Sequence, residues 1–250
     1  MKISIITITY NSEATLADTI ESVVSQTYAD IEYIIVDGGS TDKTLSIIDS
    51  YRDNISKVVS EKDHGLYDAL NKGIAMASGD VIGIIHSDDF YTGKDVIEKI
   101  AKAISEQDAD AAYADLYYVD KNDTSRIFRK WKSGHYKHGM FLKGWMPPHP
   151  TFFAKKECYE KFGSFNMSLV SAADYELMLR FIHRHRIRLA YLPEFIIKMR
   201  VGGKSNVSLK NRIRANQEDR KAWKINGLKP NPLTLYMKPL RKIIQLFKKS

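Results

Sequence analysis

Two adjacent carboxylates, Asp88 and Asp89, stand just beyond a short apolar run that ends Ile82-Gly83-Ile84-Ile85. Only His86 and Ser87 intervene. The run Val81 to Ile85 is too short for a buried helix and reads as a central strand. Parallel sheets present ligands at the carboxyl ends of their strands, which puts the pair at the mouth of a cleft. Like charges side by side need compensation, and a divalent cation is the usual source. Oxygen ligands suit Mg²⁺ or Mn²⁺, which bridge in turn to phosphate. The competing reading is a solvated turn, with an Asx-type hydrogen bond opening a helix after Lys94.

Other polar clusters recur at the same place in the pattern. A strand over Lys2–Thr9 breaks at Tyr10-Asn11-Ser12, and a helix with Leu16, Ile20, Val23 and Val24 on one face follows. Thr15 and Asp18 have the spacing of a capping pair at its start. A second strand, Ile31–Val36, runs into Asp37-Gly38-Gly39-Ser40-Thr41-Asp42. A helix carrying Leu45, Ile48 and Tyr51 comes next, then a third strand over Ile55–Ser60 that ends in Glu61-Lys62-Asp63-His64-Gly65. A helix with Leu66, Leu70, Ile74 and Ala77 stops at Gly79, and the strand with the paired aspartates follows. A fourth helix spans Asp95–Ser105. Strand and helix thus alternate four times in the first 105 residues. That predicts an α/β layer with a mostly parallel, Rossmann-like central sheet and right-handed crossovers. It also lines up all four polar clusters on one edge. Within the second cluster, the glycines permit a tight turn and a close backbone approach. An acid at that strand end suits a nucleobase N–H or a ribose hydroxyl better than a phosphate. A helix cap supplied by Ser40 or Thr41 is the plainer alternative. The dinucleotide fingerprint G-x-G-x-x-G is absent.

The second half changes character. Ala111–Val119 and Arg126–Trp131 read as strands about a turn, and a long aromatic loop, His135–Pro150, follows. Loops of that length inside a domain are usually functional or mobile. Trp145 on it is a candidate platform for an acceptor sugar, or else packs the loop down. His149 is a candidate for the donor diphosphate, the metal or the acceptor, or else a structural histidine. Thr151–Ala154 resumes as a strand, Asp174–His185 as a helix, and Leu189–Val201 as strand material interrupted by Pro193. Gly202-Gly203 is either a wrap around a diphosphate or an ordinary turn. A basic, polar helix is expected over about residues 208–225.

Composition sets the outer bounds. The chain has 250 residues, 44% of them hydrophobic, and one cysteine, Cys158, so no disulfide framework exists. That fits a reducing cytoplasm. The opening Met1-Lys2-Ile3-Ser4-Ile5-Ile6 lacks the apolar length of a signal peptide, and no run of 18 apolar residues is present. The net charge of +8 is unevenly spread. From Arg184 to Ser250 there are 18 Lys/Arg against 3 Asp/Glu, whereas the first 183 residues are net acidic. Pro232–Ser250 intersperses Leu, Ile, Met, Tyr and Phe with basic residues. Such an end suits an anionic membrane surface, with a solvated face as the alternative.

Taken in order, Thr9-Tyr10-Asn11, Asp37 to Asp42, Asp68-Ala69-Leu70-Asn71-Lys72-Gly73, Ser78-Gly79-Asp80 and Ser87-Asp88-Asp89 resemble glycosyltransferase family 2, inverting enzymes with a GT-A fold. His149-Pro150-Thr151-Phe152-Phe153, Phe162 to Asn166, Ala173-Asp174-Tyr175-Glu176-Leu177 and Arg180 extend the match to about residue 205. The resemblance implies a GT-A domain over residues 1–205, with a nucleotide-sugar half (1–110) and an acceptor half (111–205). Residues 206–250 then form a basic helical extension. It implies that Asp37 contacts the base, commonly uracil, with Thr9, Tyr10, Asn11 and Asp63 lining the same pocket. Asp88 and Asp89 match the metal-binding DXD region, Asp89 being favoured for the metal and Asp88 for the ribose. Asp174 falls where the family places its catalytic base, although an N-cap role would also suit it. His86 stands where the family often has Asp, and Ala173 where it often has Glu. The expectation is a Mn²⁺- or Mg²⁺-dependent transferase moving a sugar, hexosyl or N-acetylhexosaminyl, from a UDP-sugar to a glycan or lipid-linked acceptor in surface polysaccharide synthesis. It would act in the cytoplasm, on the inner membrane face, with no nucleic-acid partner. A nucleotidyltransferase would want a Gly-rich, basic loop after strand one, and Tyr10-Asn11-Ser12 lacks it. A non-catalytic lipid- or nucleic-acid-binding module leaves the ordered carboxylates unexplained.

Overall fold

The computed structural model describes residues 1–202, 209–231, 234 and 237. Strand and helix alternate as the apolar periodicity requires: β1 (Ile3–Thr9), α1 (Leu16–Val24), β2 (Ile31–Asp37), α2 (Thr44–Ser50), β3 (Lys57–Ser60), α3 (Leu66–Met76) and β4 (Val81–Ile84). β1 lies parallel between β2 and β4, and β3 is parallel to β2 on the outside. Side chains alternate across this sheet. Ile6, Ile34 and Ile82 enter the layer that holds α3 residues, and Ile5, Ile35 and Val81 the layer that holds α1 residues. Burial on both faces explains why these strands are unbroken apolar runs.

The rest of the chain extends the sheet out of sequence order. β5 (Asp89–Tyr91) is followed by α4 (Val96–Glu106), β6 (Ala111–Val119), β7 (Ile127–Trp131), β8 (Phe153–Lys155) and α5 (Lys156–Phe162). Then come α6 (Ala173–Met178), which runs on as a π-helical turn over Leu179–Arg184, and β9 (Leu189–Arg200). The sheet order is β3-β2-β1-β4-β8-β6-β9-β5, with β7 on β6. β8 slots antiparallel between β4 and β6. Gly83 makes the room, because a Cβ there would sit 2.2 Å from the Phe153 ring. Pro193 does not end β9. The register with β6 jumps from Ala114↔Leu192 to Asp115↔Phe195, a bulge that sets aside the residue with no N–H.

One local expectation is corrected. Thr15 and Asp18 form no capping pair. The Thr15 hydroxyl donates to the Ser87 carbonyl, 2.7 Å away, and Asp18 pairs with Arg200. The basic helix, α7 (Leu209–Ile225), packs on the main body. Its Ala222 and Trp223 lie in the same apolar cluster as α3 and α6. Beyond it, the Thr234 hydroxyl donates to the Leu142 carbonyl, and the remainder of Pro232–Ser250, apart from Met237, lies outside the described residues, as does Gly203.

Candidate active site

The four expected strand ends do lie together. At the end of β2, Asp37 is fully buried and paired in register with Thr9. One carboxylate oxygen accepts from the Gly39 and Ser40 amides (3.1 and 3.0 Å) and from the Ser60 hydroxyl (2.6 Å). The Ser40 hydroxyl donates to the other. Asn11, in the left-handed region, receives the Thr41 amide and donates its own to Ser40. These bonds hold the Gly38–Thr41 turn in one shape. A Cβ on Gly38 would lie 2.9 Å from Asp63 Oδ2, 3.5 Å from the Tyr10 ring and 3.6 Å from the Thr9 carbonyl. Thr9, Tyr10 and Asp63 therefore converge on a backbone stretch with no side chain, and the Tyr10 ring is exposed. Asp37 itself braces this cleft from behind, both its oxygens accepting hydrogen bonds. Asp63 is held by Lys72, 2.7 Å away, which also contacts Glu61 at 2.8 Å and Asp68 at 3.4 Å. Those carboxylates, Asp63 first, push the lysine up.

The β4–β5 turn is tied to α1. Thr19 donates to the Asp89 carbonyl, and the Ser12 and Ser87 hydroxyls are 2.9 Å apart. Asp89 opens β5, paired opposite Met199, so the solvated-turn alternative fails there. Its carboxylate is fully buried, and among the described residues neither oxygen has a hydrogen-bond partner of good geometry, although the Arg200 amide lies near enough to lower it. Burial, then the neighbouring Asp88, push the Asp89 carboxyl well up. Burial also raises Asp88, which is partly exposed. Arg200 donates to the Asp88 carbonyl at 2.8 Å and moderates both. Among the described residues no group of three or more His, Cys, Asp or Glu is arranged to hold a metal. One or two carboxylates nevertheless suit Mg²⁺ or Mn²⁺ when the remaining ligands are phosphate oxygens and water. The unpartnered Asp89 oxygens fit that ion.

Asp174 lies in the first turn of α6, whose cap residue, Ala172, makes no side-chain cap bond. The Tyr67 hydroxyl, from the start of α3, donates to Asp174 Oδ1 at 3.4 Å and accepts the Ala173 amide at 3.2 Å. His149 Nδ1 is 3.4 Å from Asp174 Oδ2, and its Nε2 is 3.1 Å from His86 Nε2. Burial, then His149, push the His86 imidazole down to about 3, so it is neutral at pH 7. A His149 that donates through Nδ1 to Asp174 receives the His86 Nε2–H at its other nitrogen. His86, His149 and Asp174 thus form one chain from the β4 end to α6. Trp145 is not part of the site. Its ring packs against Tyr113, Tyr136 and Phe141, and its N–H donates to the Ser133 carbonyl at 2.8 Å. The core claims the residue that the loop's composition offered to a sugar.

Sequence reasoning missed Tyr67, Lys72 and Arg200. Lys72 had a signal, since Asp68 lies four residues before it on one helix face. Tyr67 and Arg200 had none, because their partners are 107 and 112 residues away.

A mostly parallel first half with a glycine-lined cleft, and Asp37, Asp63, Asp88, Asp89 and Asp174 gathered about it, is the arrangement that the sequence resemblance implies. A family model described as Glycosyl transferase family 2 matches residues 4–172. A glycosyltransferase of Mycobacterium tuberculosis, itself uncharacterized, is 32% identical over 180 residues, 71% of this chain and 68% of its own. A PGL/p-HBAD biosynthesis glycosyltransferase of Mycobacterium bovis is 29% identical over 207 residues, 81% of this chain and 78% of its own. The structure of Staphylococcus aureus TarS in complex with UDP-GlcNAc superposes with a TM-score of 0.71 at 19% identity, covering 90% of this chain and 65% of that one. A mannosyltransferase from Pyrobaculum calidifontis, in complex with GDP-Man and Mn²⁺, gives 0.68 at 20%, covering 95% and 68%. At such identities the two structures establish the fold. The chain belongs to glycosyl transferase family 2.

Proposed function

We propose that this protein transfers a sugar from a nucleotide-sugar donor, a UDP-sugar, to a hydroxyl of a glycan or lipid-linked acceptor, with inversion and with Mn²⁺ or Mg²⁺. The observation that carries the reading is Asp89, a buried carboxylate with two unpartnered oxygens, on the same edge as Asp174. The UDP-GlcNAc, GDP-Man and Mn²⁺ in the two structural neighbours support it. Thr9, Tyr10, Asn11 and Asp63 line the nucleoside cleft, Asp37 braces it, and Asp88 faces the ribose. Asp89 would hold the ion, which when bound would supply positive charge toward the diphosphate leaving group. Asp174 accepts the acceptor's hydroxyl proton as that oxygen bonds to the anomeric carbon and the bond to the diphosphate breaks. Tyr67 and His149 hold the Asp174 carboxylate in place, and His149 also faces the acceptor. No residue forms a covalent intermediate.

The basic end, past residue 205, holds the enzyme against an anionic membrane, on its inner face, where a lipid-linked acceptor for surface polysaccharide would reside. Among the described residues, no helix is long and apolar enough to cross a membrane.

A panel of nucleotide sugars with and without Mn²⁺, run on the wild type and on Asp174→Asn, tests the chemistry. Asp174→Asn should bind donor normally and turn over about a hundredfold more slowly. Near-normal turnover removes Asp174 from the role. Co-sedimentation with phosphatidylglycerol vesicles tests the membrane part. A chain ending at Met237 keeps Thr234 but loses five Lys/Arg, and should sediment less at low salt. Equal sedimentation rejects the basic end as the anchor.

A further inference from the structure

Residues 164–172 run up to α6 and to Asp174, and their end is held from outside the region the family model matches. Asn71 and Arg180 bond the start of this stretch, at Phe165 and Ser164, and a carboxylate on α7 holds its end. Glu218 accepts the Val170 amide (3.1 Å to each oxygen), the Ser171 amide (2.7 Å) and the Ala172 amide (3.0 Å). The Ser171 hydroxyl adds a fourth donor at 3.2 Å. Three successive N–H groups turned toward one point form an anion-binding nest, and a carboxylate satisfies them more strongly than a neutral acceptor does. The next amide, Ala173, goes to Tyr67, and the next residue is Asp174. The same helix and the residue that follows it grip both flanks of that residue. Lys221 donates to the Ser168 carbonyl at 2.8 Å, the Trp223 N–H to the Tyr175 hydroxyl at 2.8 Å, and Asn226 to Glu176 at 2.9 Å.

We infer that α7 sets the position of the Asp174 carboxylate, with Glu218 as its positioning residue. This rests on the proposed role of Asp174 as base. The physical reason is that the first turn of α6 has no side-chain cap of its own. Its first turn takes its orientation from what holds the preceding amides, and here that is Glu218 together with Tyr67. Displacement of a reacting group by about 1 Å can cost a hundredfold in rate. A helix beyond the matched family region therefore controls turnover without touching donor or acceptor.

The test compares wild type, Glu218→Gln and Asp174→Asn. Glutamine has the same shape but turns an NH₂ group toward the amides. In Glu218→Gln we expect turnover of whichever UDP- or GDP-sugar the wild type consumes to fall roughly tenfold to a hundredfold, with UDP affinity and donor KM unchanged. Amide hydrogen exchange across residues 164–178 should speed up in the same variant. Exchange in the wild type alone is a second measurement that needs no variant to fold. The Val170, Ser171 and Ala172 amides should be as protected as those of α6, and fast exchange there overturns the inference. Normal turnover in Glu218→Gln beside a crippled Asp174→Asn overturns it and leaves the base standing. Normal turnover in Asp174→Asn removes the base and this inference together. Equal losses in turnover and UDP affinity in Glu218→Gln also overturn it, because a general loss of structure moves both.

Discussion

Asp37 and Asp89 are both fully buried, both acidic, and both set at a junction of strand and loop, Asp37 closing β2 and Asp89 opening β5. They differ in their partners. Asp37 receives two amides and two hydroxyls. Among the described residues neither Asp89 oxygen has a hydrogen-bond partner of good geometry; Asp88 sets a like charge beside it, and Arg200 compensates in part through its charge and its backbone amide. A carboxylate that receives several hydrogen bonds organises a loop and can stay ionised at little cost. One with no partners is costly to hold in the folded protein unless something outside the chain balances it. The contrast separates scaffold from site in residues that look alike in the sequence.

The sharpest way to break that contrast is Asp89→Asn. Removing a charge that the fold does not satisfy should leave the metal-free protein at least as stable as the wild type. The Mn²⁺-dependent gain in UDP affinity should fall about a hundredfold, within the several kcal/mol that metal charge stabilisation supplies. Titration calorimetry with UDP, with Mn²⁺ or with chelator, reads both terms. A variant that loses stability but keeps its Mn²⁺-dependent affinity would make Asp89 structural.

Asp37→Asn should show the reverse pattern. An amide group would face donors that now face a carboxylate, at a cost of about 2 kcal/mol. Denaturant midpoints without any ligand should show the loss, and Mn²⁺ should still strengthen UDP binding by the wild-type ratio. An unchanged midpoint would mean that the turn does not depend on Asp37.

Glu32, at the other end of β2, is a control far from any strand-end cleft. It is buried against Ser4, Ser78 and Lys57. Burial alone would push its carboxyl up, but the bonds from Lys57, Ser4 and Ser78 hold it well below the usual carboxylate range. Its contribution is therefore complete above the ordinary glutamate value and is lost as the pH falls below it. Glu32→Gln should cost about 1 kcal/mol at pH 7, with UDP affinity untouched. The gap to the wild type should close in acid. A gap that stays constant with pH would show that charge is not its source.

How far the site could be read in advance depended on the distance between partners. Asp37, Asp63, Asp88, Asp89 and Asp174 follow strands or open a helix, so the hydrophobic pattern announces their places. Asp37's role as a brace was not legible, because Ser60 reaches it from another strand. Trp145 misled, since an aromatic in a long loop reads alike whether it faces a sugar or, as here, Tyr113 and Phe141. The basic helix was legible as a helix. Its Trp223 is buried by contacts with α6 that no local pattern encodes.

The sequence by itself determined the alternation of strands and helices and the edge on which the carboxylates collect. Periodicity and turn chemistry act over a few residues, and right-handed crossovers leave few arrangements. The tertiary structure alone decided that β8 enters between β4 and β6, that His86, His149 and Asp174 meet, that Asp89 is left unpartnered, and that Glu218 reaches the loop before Asp174. Those outcomes depend on which distant side chains fill the same space, and only packing the whole chain settles that.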